Sequence, residues 1–187
     1  MQSLRQFVIS TLPRAVTGRY LSTTAALNMP IKEGDKLPDV DLFEGNPHNK
    51  VSTQALFGKG KSVIFAVPGA FTPTCSEKHA PGYIQNFAQL KEKGVQTVAC
   101  IAVNDPFVMD AWGKSMGAET KVRMLADTAA AFTKKIDMAI DLTEILGGVR
   151  SRRYAMVVED GVVKSIQAEP DNTGLACSAA TDVMKLL

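Results

Sequence analysis

Ser62-Val63-Ile64-Phe65-Ala66-Val67, continued by Pro68-Gly69-Ala70-Phe71-Thr72-Pro73-Thr74-Cys75-Ser76-Glu77, is the stretch on which the fold turns. The first six residues are apolar apart from Ser62 and show no alternation. They predict a strand covered on both faces, as in a sheet with helices on each side. Pro68 and Gly69 end the strand, and the loop they open delivers Cys75 to the first turn of a helix. Unpaired amides and the positive helix end favour an anion there, so the position suits a thiolate. A buried, inert cysteine behind a helix cap fits the same position. Two caps are open. Thr72 can cap with Pro73 in the first turn, or Thr74 can cap with Glu77 as its capping-box partner, which frees the Thr72 hydroxyl for a substrate oxygen.

After Cys75 the helical pattern runs to Lys93, with Tyr83, Phe87 and Leu90 on one face, Gly94 as the stop and a kink expected at Pro81. A second apolar strand is expected over Val95 to Val103. A helix over Pro106 to Met116 follows, with Asp105 as cap and Pro106 at its first position. A short strand at Met124 to Ala126 and a helix over Thr128 to Lys135 come next. Tyr154 to Glu159 and Val162 to Ala168 flank Asp160-Gly161, a two-residue hairpin turn of type I′. Ser178 to Leu187 reads as a closing helix. Before the deciding strand, Ile31 to Lys50 is a proline- and glycine-punctuated opening with a strand at Val40 to Phe43. Ser52 to Phe57 is a short helix between Ser52 and Gly58. Parallel crossovers followed by an antiparallel hairpin give an α/β domain with a mixed central β-sheet flanked by helices, a thioredoxin-like layout.

The chain has 187 residues, enough for one domain with a substantial core, and no internal repeat. No apolar run approaches the roughly 18 residues of a membrane-spanning helix, so no membrane partner is expected. Of 21 basic residues three lie before Met29, and none of the 19 acidic ones does, which leaves residues 29–187 with 18 basic, 19 acidic and a net of −1. A nucleic-acid surface needs a concentrated basic patch and is not expected. The segment 1–28 carries Arg5, Arg14 and Arg19, many Ser and Thr, and an apolar face of Leu4, Phe7, Val8 and Leu12 ended by Pro13. It reads as a mitochondrial transit peptide preceding a domain over 29–187, with delivery to the mitochondrial matrix. Its end, from Arg19 to Asn28, resembles a two-step mitochondrial processing site. Initiation at Met29 would give a cytoplasmic form. The C-terminal Lys185-Leu186-Leu187 is not the peroxisomal Ser-Lys-Leu signal.

Cys75, Cys100 and Cys177 are far apart, with no C-x-x-C pair and no zinc spacing, and only His48 and His79 accompany them. No metal site is expected. Cys100, inside an apolar strand, reads as a small core residue. His79 lies one turn after Cys75 on the same helical face, where it is read as tuning the thiolate from behind rather than merely covering the first turn, and His48 sits in a solvent-facing loop. Arg150, Arg152 and Arg153 form a basic cluster. Alternation groups Arg153 with Ala155 and Val157, and Arg152 with Tyr154 and Met156, without saying which set faces Cys75.

Pro68-x-x-x-Thr72-x-x-Cys75 resembles the active-site motif of the peroxiredoxins, the thiol-dependent peroxidases. The longer run V-P-G-A-F-T-P-T-C-S resembles the peroxiredoxin-5 subfamily, as do G-V-Q-T-V-A-C-I-A-V-N-D around Cys100, Trp112-Gly113, and E-P-D-N-T-G-L-A-C-S around Cys177. The resemblance extends from Met29 to the C-terminus. It implies Cys75 as the peroxidatic cysteine, oxidised to sulfenic acid, and Cys177 as the resolving cysteine that closes an intramolecular disulfide. Thr72 would hold the peroxide, Pro68 would shield the thiolate, Thr74 would offer a backbone amide, and Arg153 would favour the thiolate and orient the peroxide oxygens. Thr74 stands where many vertebrate members carry glycine; threonine there offers a cap but restricts the backbone and narrows access, which bears on peroxide preference and not on the chemistry. A disulfide needs Cα atoms within roughly 7 Å, so any wider resting gap requires local unfolding. The implied substrates are hydrogen peroxide and alkyl hydroperoxides, with peroxynitrite as a further candidate. The implied reductant is thioredoxin and the implied assembly a homodimer. No cofactor is implied, because sulfur carries the redox change.

Other classes compete. A redox-sensing or chaperone-like binding module would use Cys75 stoichiometrically and signal through a partner disulfide. Cys177 would be a spectator if an external thiol resolved Cys75. A cysteine hydrolase would need a histidine base from His48 or His79, neither in a hydrolase motif. A dithiol oxidoreductase is disfavoured, since position 72 is threonine rather than cysteine.

Overall fold

The computed structural model describes residues 30–187. The transit-peptide reading of 1–28 and the domain start at Met29 lie outside them. The chain passes through β1 (Asp41–Glu44), β2 (Asn46–Ser52), α1 (Thr53–Phe57) and β3 (Lys61–Ala66). A π turn (Cys75–His79) leads into α2 (Ala80–Gln85) and α3 (Phe87–Glu92). β4 (Val95–Ala102), α4 (Pro106–Ser115), β5 (Arg123–Ala126) and α5 (Ala131–Lys135) follow. Then come β6 (Ala139–Asp141), α6 (Thr143–Leu146), β7 (Val149–Ser151), β8 (Tyr154–Glu159), β9 (Val162–Ala168), α7 (Ala180–Val183) and a closing 3-10 turn (Met184–Leu186).

The main sheet has the order β2-β1-β5-β4-β3-β8-β9. β3 pairs in parallel with β4, and β4 with β5, while β8 runs antiparallel to β3 and β9 to β8. This is the mixed sheet of a thioredoxin-like fold. β3 lies centrally, and its lack of alternation has a plain cause: both faces are buried. Val63, Phe65 and Val67 enter a cluster with Cys75, Tyr83 and Trp112, whereas Ile64 and Ala66 enter another with Phe57, Phe132 and Tyr154.

Local signals hold where chemistry is explicit. The Ser52 side chain accepts from the Ala55 amide, Asp105 accepts from Val108, and Asp160 and Gly161 take φ of 50° and 76° in the β8–β9 turn. The expected single helix over 75–93 is three pieces. Its first turn is widened, with the Ala80 amide donating to the Cys75 carbonyl. That wide turn immediately precedes Pro81, which has no amide to donate. The main interruption falls at Asn86, whose side chain donates to the Gly82 carbonyl at 2.7 Å. The helix expected from Thr128 begins later, because Asp127 caps the amides of Phe132 and Thr133 at 3.2 and 2.8 Å.

Two features escaped pattern reading. β2 carries Pro47 and is exposed over most of its length, as its place at the sheet edge permits. β6, α6 and β7 form a short excursion held by a two-stranded pairing, too brief to show a period. The closing helix starts after Ser178 rather than on it, since the Ser178 hydroxyl is engaged elsewhere.

Candidate active site

The loop after β3 is bound at both ends. Val67 donates to the Ile101 carbonyl at 3.2 Å, and the Ala70 amide donates to the Asn104 side chain at 3.1 Å. Between these anchors and the helix, Phe71 takes φ of 59°, a left-handed conformation that costs a non-glycine residue energy. The Thr72 hydroxyl donates to the Gly69 carbonyl at 2.8 Å, and the Thr72 carbonyl accepts from the Ser76 amide at 3.0 Å. The helix therefore starts at Thr72 and Pro73. Thr74 is already helical and makes no side-chain capping bond, so the Thr74–Glu77 capping box does not form. Ser76 accepts from the indole N–H of Trp112 at 3.0 Å, which ties the first turn to α4.

Cys75 is fully buried. One strand parity reaches it. Ala155 and Val157 share its cluster, and Arg153, on the same side of β8, is 2% exposed with Nη2 donating to Cys75 Sγ at 3.4 Å. Two further N–H bonds of Arg153 go to His79 Nδ1 at 3.0 Å and, from Nε, to the Thr173 carbonyl at 3.0 Å. Arg150 points elsewhere, bonding the carbonyls of Val103 and Leu146.

His79 is 1% exposed and bridges Arg153 to the Ser178 carbonyl, 3.0 Å from its Nε2. A guanidinium can only donate and a carbonyl can only accept. These partners therefore fix a neutral ring with the proton on Nε2. Burial first, and the Arg153 charge second, push its pKa down to about 3. Tyr83 donates to the same Ser178 carbonyl at 2.7 Å and stacks on Phe65 at 4.0 Å between centroids. Phe65 also meets the His79 ring edge-on. Cys100 is fully buried in β4, and burial drives its thiol pKa well upward.

Arg153, which touches the thiol, also borders a cavity of about 360 Å³. Pro68, Thr72, Thr74 and Arg153 line one side, and Leu142, Ile145 and Leu146 the other. The apolar wall comes from the excursion that periodicity did not reveal.

Cys177 is partly exposed, and its Sγ donates to the Ala168 carbonyl at 3.5 Å. Burial and the nearby Glu169 carboxylate push its pKa up to about 11. Glu169 itself escaped the sequence reading as a site residue, although it lies in the quoted block around Cys177. It is 3% exposed and accepts from the Ala176, Cys177 and Ser178 amides and the Ser178 hydroxyl. Cys75, Pro68, Thr72, Thr74, His79 and Arg153 thus converge, while Cys177 joins them through Ser178 and Glu169. His48 is exposed in β2, away from this group.

The Redoxin family profile matches residues 32–184. Peroxiredoxin-2E, chloroplastic, of Arabidopsis thaliana is 42% identical over 92% of this chain and 76% of its own length. Peroxiredoxin-2B of the same plant is 41% identical over 84% and 99%. Among solved structures, peroxiredoxin 5 from Alvinella pompejana is 47% identical, with a TM-score of 0.72 over 79% of this chain and 96% of that one. Reduced Prx3 from Vibrio vulnificus in complex with hydrogen peroxide is 44% identical, with a TM-score of 0.77 over 83% and 98%. The mitochondrial and cytoplasmic placement expected from the leader is corrected by the relatives, two of which, from Arabidopsis thaliana and Oryza sativa subsp. japonica, are named chloroplastic. Arg and Ser enrichment without acidic residues is common to mitochondrial and chloroplast leaders, so composition did not separate them.

Proposed function

This chain belongs to the Redoxin family and is a peroxiredoxin, a peroxidase, and from that premise we propose that Cys75 is its peroxidatic and Cys177 its resolving cysteine. The observation that carries the reading is the Arg153 guanidinium, 3.4 Å from the Cys75 sulfur, on a residue that also lines the cavity. The guanidinium points an N–H at the sulfur that acts as the nucleophile. Thiolate attacks one peroxide oxygen, the O–O bond breaks, and the departing oxygen takes a proton and leaves as water or an alcohol. Cys75 is left as sulfenic acid. The remaining N–H bonds of Arg153 are donors for the oxygen on which charge develops, and the Thr72 hydroxyl joins them only by turning away from the Gly69 carbonyl that it bonds at rest. Pro68 and Thr74 line the approach. His79, neutral and bonded on both sides, fixes the guanidinium without entering the chemistry.

The Cys177 sulfur then attacks the sulfenic sulfur. The hydroxyl leaves with the proton lost by Cys177 as water, and a disulfide forms within the chain. A dithiol of thioredoxin returns both thiols. Because Cys75 is fully buried, this step requires the π turn and the Cys177 segment to open. The wall of Leu142, Ile145 and Leu146 supports alkyl hydroperoxides beside hydrogen peroxide as substrates. Among the subfamilies the reading is peroxiredoxin-5, supported by the blocks around Cys75 and Cys177. The exposed side chains of Phe71, Phe107 and Ile145 support a homodimer. Residues 1–28 are proposed as a plastid leader preceding the domain over 29–187, supported by the chloroplastic relatives and by a family match that starts at residue 32.

Peptide mapping under non-reducing conditions tests the scheme. One equivalent of peroxide should link Cys75 to Cys177 in one chain. A Cys75–Cys100 bridge, or peroxide turnover by Cys75→Ser, would overturn it.

A further inference from the structure

Cys75 and Cys177 are joined by an unbroken line of hydrogen bonds. Cys75 Sγ meets Arg153, Arg153 meets His79, His79 meets the Ser178 carbonyl, and Ser178 meets Glu169. Glu169 sits where this line reaches the Cys177 segment. Its carboxylate is wrapped by three consecutive amides, those of Ala176, Cys177 and Ser178, at 2.8, 3.0 and 2.8 Å, and by the Ser178 hydroxyl at 2.6 Å. Its own amide donates to the Arg153 carbonyl at 3.0 Å. The peroxidase chemistry uses no carboxylate, so this buried anion needs another explanation.

We propose that Glu169 is a positioning residue that latches the Cys177 segment in the reduced protein and thereby sets how readily Cys177 is released to attack oxidised Cys75. This deepens, and rests on, the reading of Cys177 as the resolving cysteine. The latch works in two ways. Four charge-assisted hydrogen bonds must break before the segment can leave, and such bonds are about twice as strong as neutral ones. Burial first, and the Glu169 charge next, with Asp182 of α7 as a further acid, also hold the Cys177 sulfur as thiol. While latched, Cys177 is poorly nucleophilic, and release restores its reactivity. A structural acid that merely stiffened the loop would give the first effect without the second.

The test substitutes Glu169→Gln in the full chain. The amide presents a donor to at least one of the donors that surround it, so the latch is weakened with little change in volume. In a Cys75→Ser background, Cys177 of the Gln variant should alkylate with iodoacetamide about tenfold faster at pH 7.5, with its pH profile displaced downward. With Cys75 present, disulfide formation after one equivalent of peroxide should also accelerate, and trapping of sulfenic acid by dimedone should fall. Ser178→Ala keeps the three amide bonds and should give an intermediate rate. It also carries the test alone if Glu169→Gln fails to fold. Cys177 alkylation within twofold of the parent in every folded variant would overturn the latch. Faster alkylation with no Cys75–Cys177 disulfide would leave the latch standing and sink the resolving role instead.

Discussion

Arg153 Nη2 lies 3.4 Å from the sulfur of Cys75, across 78 residues of chain. The contact joins the end of β3 to the start of β8, neighbouring antiparallel strands whose register pairs Ala66 with Tyr154. Strand pairing thus brings the loop after β3 and the residue before β8 to one end of the sheet. The Arg153 side chain closes the gap. Its three nitrogens serve Cys75, His79 and Thr173 in turn, so one side chain organises thiol, histidine and the approach to Cys177.

Arg153→Lys should lower kcat/KM for hydrogen peroxide by about 100-fold, as expected for loss of an oriented donor in a buried site. An ammonium cannot reproduce the planar fork, and the His79 and Thr173 partners lose their donors. Steady-state kinetics with thioredoxin and its reductase measures the effect. A loss under threefold would remove Arg153 from the chemistry.

His79 gives the protein an acid-sensitive stability. Its pKa is about 3 folded against 6.5 in the free side chain, so the unfolded chain binds the extra proton first. Stability from this source is fully present above pH 6.5 and falls on acidification toward pH 3. Urea unfolding should show a loss of about 2 kcal/mol between pH 6.5 and 5. Glu169, held near 2 against an ordinary 4.5, loses its contribution on acidification as well, but only below about pH 4.5. In His79→Gln, whose amide can accept from Arg153 and donate to Ser178, the slope between pH 6.5 and 5 should flatten. An unchanged slope would place its origin elsewhere.

Trp112 is the single tryptophan and bonds Ser76, the residue after Cys75. If disulfide formation unwinds the first turn, that bond breaks. One equivalent of peroxide should therefore shift the emission of the reduced protein, and reduction should restore it. Cys177→Ser should lack the full shift, since its sulfenic acid has no intramolecular partner. An emission unchanged by oxidation would mean that the turn stays closed.

Ile145 is 77% exposed, so changing it should leave folding intact, yet it lines the same cavity as Arg153. Ile145→Ser should reduce kcat/KM for cumene hydroperoxide by about tenfold through lost apolar contact. Turnover of hydrogen peroxide, which has no apolar part, should stay within twofold. Equal losses for both substrates would argue against a side-chain pocket there.

Gly113 packs its α-carbon toward Met124, where an added Cβ would lie 2.6 Å from the Met124 Cγ. Gly113→Ala should cost about 1–3 kcal/mol, measured by urea unfolding, because α4 must move off β5. Full stability would show that Met124 can swing aside.

The sequence by itself determined the central strand, the thiol at its end, the Asp160-Gly161 turn and the caps at Ser52 and Asp105. Each rests on interactions between residues close in the chain, which leave a local trace in periodicity or in turn chemistry. It left open which threonine starts the helix, and which parity of the Arg152–Val157 run faces the thiol. The first was decided by a hydroxyl turning back to Gly69 and the second by packing of Ala155 and Val157 against the Cys75 cluster. The apolar wall at Leu142 to Leu146, the neutral state of His79 and the burial of Glu169 belong to the tertiary structure alone. All three depend on partners distant in sequence, and a buried carboxylate and an exposed one look the same until the amides around it are in place.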